Sequence, residues 1–149
     1  MNEPPDNQAT LLIIEDNETQ QYVLKELCHK FDYDVHVVSS GEEALSALSC
    51  ARYTAILMDI ALGGMDGFEC TRRIREMEAK MRRRTPIIAV TGHVGDKHRC
   101  LAAGMDDFIS KPFEIEDFRL MLLRNAYHSA RVNLKLLRGY ITKQEESGT

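Results

Sequence analysis

Residues 53–59, which read YTAILMD, are the stretch that decides the fold. The run is largely apolar until Asp59, and the segment Ile60–Gly67 that follows it contains three glycines. A continuous apolar run that ends at glycines is typical of a strand buried on both faces of a parallel sheet. Asp59 would then stand at the carboxyl end of this strand, where open α/β sheets bind ligands, although acidic residues are also common in turns.

Apolar runs and helix-start signals alternate on both sides of this strand. Asn17, Ser40 and Asp66 are each followed, three residues later, by Gln or Glu, which is the capping-box pattern of a helix N-terminus. Five strands that alternate with five helices predict an α/β fold with a parallel sheet and helices on both faces. The predicted strands are Leu11–Ile14, Val35–Val38, Tyr53–Asp59, Pro86–Thr91 and Phe108–Ser110.

Length and composition predict one soluble globular domain. The chain has 149 residues, of which 44% are hydrophobic and 28% are charged. Its four cysteines include no CxxC pair, which is typical of reduced thiols rather than of a disulfide framework or a zinc site. Residues 1–9 lack the apolar core of a signal peptide, so we expect a cytoplasmic protein.

Nucleic acid and membranes are not expected as partners. The formal net charge of −4 argues against a general nucleic-acid surface. The basic segment Arg72–Arg84 is interrupted by Glu76 and Glu78, which favours a solvated helix end over a nucleic-acid site. No run approaches the roughly 18 apolar residues that a membrane helix requires.

The last predicted helix starts near Glu114 and has two interpretations. Apolar residues between Phe118 and Tyr140 are compatible with one extended C-terminal helix that runs to about Ile141. Such a helix would extend beyond a compact domain and pack on a partner or form a homodimer. Alternatively, the segment folds back or frays, because Gly139 weakens a helix. The predicted organisation is a flexible lead-in at residues 1–9, a domain at 10–127 and a helical extension and tail at 128–149.

Five polar residues follow the predicted strands, and the carboxyl ends of parallel strands share one edge of a sheet. Glu15 and Asp16 follow the first strand, Asp59 ends the third, Thr91 ends the fourth and Lys111 follows the fifth. Three carboxylates in one crevice repel each other unless a hard cation such as Mg²⁺ binds them. With a hydroxyl and an ammonium group beside them, the cluster predicts a phosphoryl site in which Asp59 is the nucleophile.

At these residues the chain resembles the receiver domain of two-component response regulators, over about residues 8–126. The matching motifs are Leu12–Asn17 (LIIEDN), Met58–Asp59 with Met65–Gly67 (MDG), Val90–Thr91 and Gly104–Phe113 (GMDDFISKPF). Their order and spacing make the resemblance specific. It implies a flavodoxin-like fold with the strand order 2-1-3-4-5, and it identifies residues 10–127 as the receiver domain.

The resemblance also implies how the acidic residues act. Asp59 is the expected phosphoacceptor. Asp16 is expected to bind Mg²⁺, or Mn²⁺ in its place, and Glu15 to hold a metal-bound water. The backbone carbonyl of Ala61, two residues after the acceptor, is the other expected protein ligand, so the implied metal site comprises Glu15, Asp16, Asp59 and Ala61.

Four further positions match residues of the family, three of them with roles in the switch or in phosphate contact. Thr91 corresponds to the hydroxyl that moves toward the phosphoryl group, and Lys111 to the lysine that contacts it. Phe108 corresponds to the aromatic ring that turns inward on activation. Pro112 is expected to follow a cis peptide bond, a conformation that is accessible chiefly before proline.

Some positions depart from the common family pattern. Gly63 stands where proline is frequent, which predicts a more mobile loop, and Gly92 stands where alanine is frequent. Ala61 and His93 lie two residues after Asp59 and Thr91, where hydrolytic water would enter. We therefore hypothesise that Ala61 and His93 tune the lifetime of the phosphorylated form, the alternative being a small loop residue and a solvated histidine.

The resemblance implies a signalling switch in place of a conventional enzyme. A histidine kinase or histidine phosphotransfer protein would donate the phosphoryl group, and the chain would catalyse only its own phosphorylation and dephosphorylation. A downstream protein would bind the surface of the fourth helix, fifth strand and fifth helix. The alternatives are a degenerate receiver that acts as a protein-interaction module, and a phosphatase, which would need an aspartate at Ala61. The sequence leaves open a stand-alone regulator or the receiver of a hybrid kinase, and Met1 favours the former.

Overall fold

A computed structural model of the chain describes residues 9–127, apart from the side chain of Val94. Strands and helices alternate along these residues, as the sequence predicts. The strands are β1 (Thr10–Ile14), β2 (Asp34–Val38), β3 (Ala55–Asp59), β4 (Ile87–Thr91) and β5 (Asp107–Ser110). The helices are α1 (Glu18–Lys30), α2 (Gly41–Cys50), α3 (Gly67–Met81), α4 (Lys97–Ala103) and α5 (Ile115–Asn125), with a 3-10 turn at Val94–Asp96.

All strand pairs are parallel, and the strand order is β2-β1-β3-β4-β5. This confirms the predicted sheet and its order. β3 lies in the centre of the sheet, and its five residues are all buried, which explains the unbroken apolar run before Asp59. By contrast, β2 lies at an edge of the sheet, and His36 in its middle is exposed.

The sheet separates two apolar cores. In β1, Leu11 and Ile13 face one core with α1 and α5, whereas Leu12 and Ile14 face the other with α2, α3 and α4. This alternation follows from the two-residue period of a strand. Because both faces are covered, the edge formed by the carboxyl ends of the strands is where polar side chains can gather without crossing a core.

The three predicted N-caps form, but none of the three is a complete capping box among the described residues. The side chains of Asn17, Ser40 and Asp66 accept hydrogen bonds from the backbone N–H three residues later, at 3.0, 3.2 and 2.8 Å. The predicted reciprocal bond from Gln20 is absent among the described residues. Instead, the Gln20 side chain accepts a hydrogen bond from Lys111.

The fifth helix is shorter than the predicted extended helix. α5 ends at Asn125, and the backbone of Ala126 (φ −125°, ψ 19°) is no longer helical. The carbonyl of Ala126 accepts a hydrogen bond from the Tyr33 hydroxyl at 2.6 Å, which fixes the end of the helix against the start of β2. The prediction of one continuous helix from Glu114 to about Ile141 is therefore wrong, because the helix is interrupted at Ala126. The extension at 128–149, and a homodimer through it, lie outside the described residues.

Residues 1–8 of the expected lead-in also lie outside the described part of the chain. Ala9 already belongs to the folded domain, because its carbonyl accepts a hydrogen bond from Asp34 N–H at 3.0 Å. Within residues 9–127, no helix has the length and apolar character needed to cross a membrane.

Candidate functional site

The carboxyl edge of the sheet brings the five predicted polar residues together. Parallel register aligns Ile14 with Met58 and Thr91 with Ser110, so the residues that follow these positions emerge at the same edge. The backbone N–H of Lys111 donates to the carbonyl of Thr91 at 2.7 Å, which links the ends of β4 and β5.

Glu15, Asp16 and Asp59 form an acidic cluster at this edge. One carboxylate oxygen from each residue lies within 4.8 Å of the other two. Glu15 is 1% exposed and Asp59 is 9% exposed, while Asp16 faces solvent. The cluster is therefore a buried pair of acids with a third, accessible acid at its rim.

The environment of Glu15 disfavours its charge. Burial, followed by the hydrogen bond and negative charge of Asp59, raises the pKa of Glu15 to about 7, while the charge of Lys111 opposes the shift. One oxygen, Oε1, accepts from Asn17 N–H at 3.3 Å. The other, Oε2, is buried, and no N–H or hydroxyl group of the described residues donates to it. Such an oxygen costs free energy unless a proton or a cation binds it.

These residues fit a divalent cation of the Mg²⁺ type. All three side chains offer oxygen ligands. No donor of the described residues contacts Oε2 of Glu15, and exposed Asp16 makes the cluster accessible from solvent. Mg²⁺ prefers a few carboxylates together with water and an oxyanion. The donor set therefore matches the predicted metal in both chemistry and accessibility.

The loop after Asp59 contacts the acids through backbone N–H groups. Ala61 N–H donates to Asp59 Oδ1 at 3.3 Å, and Gly63 N–H donates to Asp16 Oδ2 at 3.1 Å. The Gly63 contact has no sequence signal, since it joins residues 47 positions apart. A proline at position 63 would have no N–H to donate.

Gly67 explains why the motif after the acceptor ends in glycine. A Cβ atom at Gly67 would lie 2.7 Å from the Asp59 carbonyl oxygen and 2.8 Å from Ile60 Cα, both closer than side chains normally approach backbone. The N-terminus of α3 can therefore pack directly against the end of β3, and Asp66 caps that helix.

The four residues implied to act in the switch occupy different environments. Thr91 is 2% exposed, and its Oγ1 accepts from the exposed His93 through a backbone N–H at 3.2 Å. Phe108 is partly buried against the core that includes α4. The Lys111–Pro112 peptide bond is cis, as the resemblance implies. Lys111 Nζ donates to Gln20 Oε1 of α1.

Sequence reasoning missed two glutamines that support this site. Gln20 was expected only as a capping partner, and it binds Lys111 instead. Gln21 Nε2 donates to the Glu15 carbonyl at 2.6 Å and to Ser39 Oγ at 3.1 Å, which joins the end of β1 to the loop before α2. No local pattern distinguishes either residue from an ordinary polar residue of a helix.

The sheet order and the acidic cluster, with Thr91 and Lys111 at the same edge, define the class of protein: an α/β domain with a polar site at the carboxyl ends of its parallel strands. Residues 11–123 match the family model described as the response regulator receiver domain. The chain belongs to this family. It is accordingly a receiver domain of two-component signalling.

Two curated relatives are much longer than this chain. The chain is 39% identical over 109 residues to hybrid signal transduction histidine kinase I of Dictyostelium discoideum, which covers 68% of this chain and 6% of that protein. It is 36% identical over 127 residues to histidine kinase 3 of Arabidopsis thaliana, covering 71% of this chain and 12% of that protein. The chain thus spans a small part of the length of these relatives.

Two solved structures share the fold. The receiver domain of a sensor histidine kinase from Pseudomonas aeruginosa is 38% identical, with a TM-score of 0.71 over 79% of this chain and 97% of that one. That structure has a magnesium ion coordinated in its active-site cleft. The chemotaxis protein CheY4 of Vibrio cholerae is 27% identical, with a TM-score of 0.71 over 79% and 98% of the two chains.

Proposed function

We propose that the chain is a phosphorylation-dependent switch in which Asp59 accepts a phosphoryl group. The observation that carries the proposal is the acidic cluster, with Asp59 beside a buried Glu15 oxygen that has no partner within residues 9–127. A phosphohistidine of a histidine kinase or histidine phosphotransfer protein is the proposed donor. A carboxylate oxygen of Asp59 attacks phosphorus, the P–O bond forms, and the P–N bond breaks as the imidazole leaves with the electron pair.

Each neighbour of Asp59 has a proposed task in this transfer. Asp16, Asp59 and the carbonyl of Ala61 would bind Mg²⁺ or Mn²⁺, and Glu15 would hold a water on the ion. When bound, the ion would offset the negative charge of the phosphoryl oxygens. Lys111 supplies a second positive charge from the end of β5.

Conversion to the active form is proposed to run through Thr91 and Phe108. The Thr91 hydroxyl would leave the His93 N–H, which it now meets at 3.2 Å, and bind a phosphoryl oxygen. Phe108 would turn into the vacated space and alter the surface of α4, β5 and α5, where a downstream protein would bind. This is a shift in population between two packings of one fold.

Ala61 and His93 remain candidates for tuning the lifetime of the phosphorylated form. Both are exposed next to the proposed acceptor and the switch threonine, which supports access of their side chains to attacking water. Exchange of both residues should change the rate of dephosphorylation several-fold. An unchanged rate would contradict this assignment.

Labelling with a small phosphodonor tests the acceptor directly. Acetyl phosphate with Mg²⁺ should add one phosphoryl group to the intact chain, detected by mass spectrometry, and hydroxylamine should remove it as expected for an acyl phosphate. Asp59→Asn should not be labelled, and Asp16→Asn should be labelled more slowly.

Equal labelling of Asp59→Asn would contradict the assignment of the acceptor. No labelling of the unsubstituted chain, either by acetyl phosphate or by a phosphorylated histidine phosphotransfer protein, would favour a degenerate receiver that acts only as a protein-interaction module.

A further inference from the structure

Lys111 has an unexpected hydrogen-bond partner in α1. Its ammonium group donates to Oε1 of Gln20 in α1, a residue 91 positions away. Among the described residues, Lys111 forms no ion pair with Glu15, Asp16 or Asp59. The positive charge that should neutralise a phosphoryl group is therefore held by a neutral amide oxygen.

Gln20 is not committed to capping its own helix. The backbone N–H of Asn17, which the side chain of a capping box would bind, donates to Glu15 Oε1 at 3.3 Å. The helix start is already satisfied by Asn17 Oδ1, which accepts from the Gln20 backbone N–H at 3.0 Å. The Gln20 side chain is thus free to serve another group, and it serves Lys111.

Both partners extend from well-anchored backbone. The first turn of α1 is tied to the end of β1 by Gln21, which donates to the Glu15 carbonyl at 2.6 Å. Lys111 is tied to β4 by its N–H bond to the Thr91 carbonyl at 2.7 Å. The Gln20–Lys111 bond therefore joins two anchored segments, the first turn of α1 and the residue that follows β5.

We propose that Gln20 is a positioning residue that retains Lys111 away from Asp59 in the unphosphorylated form. This inference rests on the proposed phosphoacceptor function. A charged phosphoryl oxygen is a stronger acceptor for an ammonium group than an amide oxygen, so phosphorylation would transfer Lys111 from Gln20 to the phosphoryl group. A bond that stabilises only the unphosphorylated form would shift the balance between the two forms toward it.

The proposal predicts opposite effects for two substitutions at one position. Gln20→Leu removes the acceptor at similar size, so it should favour the form in which Lys111 contacts phosphoryl oxygens. Gln20→Glu replaces the amide with a carboxylate, so it should retain Lys111 more strongly. A bond to a charged group corresponds to about a tenfold change in affinity in each direction.

Beryllium fluoride with saturating Mg²⁺ serves as the probe, because it mimics a phosphoryl group on an aspartate. Its dissociation constant should fall about tenfold in Gln20→Leu and rise about tenfold in Gln20→Glu. The matched controls are Thr19→Val and Thr19→Glu, which change the neighbouring exposed residue of the same turn. Both controls should stay within about twofold of the unsubstituted chain, as expected of surface substitutions.

The same substitutions in a Lys111→Met background distinguish positioning from a general effect on the fold. In that background, Gln20→Leu and Gln20→Glu should bind beryllium fluoride with the same affinity as the Lys111→Met chain that retains Gln20. The titrations require higher beryllium fluoride concentrations, because the lysine is missing. The inference alone would be overturned if both Gln20 variants bound beryllium fluoride with the affinity of the unsubstituted chain. It would also be overturned if the tenfold changes persisted in the Lys111→Met background. Failure of the unsubstituted chain to bind beryllium fluoride would overturn the proposed function and this inference with it.

Discussion

At the scale of single residues, Glu15 is a carboxyl group whose charged form is destabilised by its surroundings. It is a carboxyl group at 1% exposure, beside a second carboxyl group, with one oxygen lacking a partner among the described residues. Such a group is stabilised when a proton or a bound cation compensates for the missing hydrogen-bond donor. The positive charge of Lys111 offsets only part of this destabilisation. We therefore expect Glu15 to affect both the free energy of unfolding and the binding of the proposed cation.

The raised pKa of Glu15 predicts how stability depends on pH. Its pKa is about 7 in the folded chain and 4.5 ordinarily, so between these values the folded form holds a proton that the unfolded form has lost. Without metal, the Glu15 contribution to stability should therefore be present below pH 4.5 and be lost as pH rises through 7. The loss is at most roughly 3 to 4 kcal/mol.

Urea unfolding in EDTA, measured across this pH range, checks the expectation. Glu15→Gln is the control, because it cannot titrate and the other carboxyl groups remain. The difference in unfolding free energy between the two proteins should change with pH. If both proteins show the same pH dependence, Glu15 does not carry the shifted pKa.

Gly63 offers a second prediction at this scale. Its N–H bond to Asp16 Oδ2 orients an exposed carboxylate that would otherwise lose rotamer freedom on binding Mg²⁺. Gly63→Pro removes the N–H and should weaken Mg²⁺ binding about fivefold. Gly63→Ala keeps the N–H, and its Cβ would lie 3.6 Å from Asp16 Oδ2, an ordinary contact, so its affinity should be unchanged.

Calorimetric titration of both Gly63 variants with Mg²⁺ makes the comparison. Equal affinities for the proline and alanine variants would show that Asp16 needs no orientation by this loop. The hypothesis that Gly63 makes the loop more mobile is a separate one, and the N–H bond to Asp16 restrains the loop at that point.

At the scale of elements, Arg75 joins α3 to the loop between α4 and β5. Its guanidinium donates to the Gly104 carbonyl at 3.0 Å, to Glu78 at 2.8 Å and to Asp106 at 2.7 Å. Glu78 is 2% exposed and also accepts from Thr85 through N–H and hydroxyl. The basic segment thus has an internal role at Arg75, while Arg72 pairs with Glu69 at the surface.

Removal of Arg75 should destabilise the domain strongly. Arg75→Met leaves the buried Glu78 without its cationic partner, and we expect a loss of about 3 kcal/mol. The control on the same helix is Arg72→Met, which breaks a surface pair and should cost less than about 1 kcal/mol. Urea unfolding of both variants measures the difference, and similar losses would show that the Arg75 network adds little beyond surface pairing.

At the scale of the whole molecule, the proposed metal site couples folding to Mg²⁺. Glu15 and Asp16 follow β1 and Asp59 ends β3, so the three carboxylates meet only when the sheet has formed. A ligand that binds only the folded state stabilises it by mass action. The site therefore makes the stability of the domain depend on the concentration of the cation.

Mg²⁺ should raise the unfolding free energy by about 2.7 kcal/mol at a concentration one hundred times its dissociation constant. Thermal unfolding with and without Mg²⁺ measures this, and Asp16→Asn should lose most of the gain while remaining folded. An equal gain in Asp16→Asn would place the cation away from the acidic cluster.

Local sequence determined the elements of this protein. The apolar run before Asp59 becomes the buried central strand, and Asn17, Ser40 and Asp66 cap the helices they precede, because these properties depend on residues within a turn or two. The motifs at the strand ends were also sufficient to identify the receiver-domain family. Parallel strands necessarily bring their carboxyl ends to one edge, so the acidic cluster follows from the strand assignment.

Only the tertiary structure decided which side chains support that cluster and where the last helix ends. Gln20 binds Lys111 and Gly63 binds Asp16 across 91 and 47 positions, and Tyr33 fixes Ala126 at the end of α5. Apolar residues continue at helical spacing past Ala126 in the sequence, but the backbone leaves the helix at Ala126, whose carbonyl accepts a hydrogen bond from Tyr33 of another element. Local preferences are small and depend on neighbours in the chain, whereas these contacts depend on how distant elements pack.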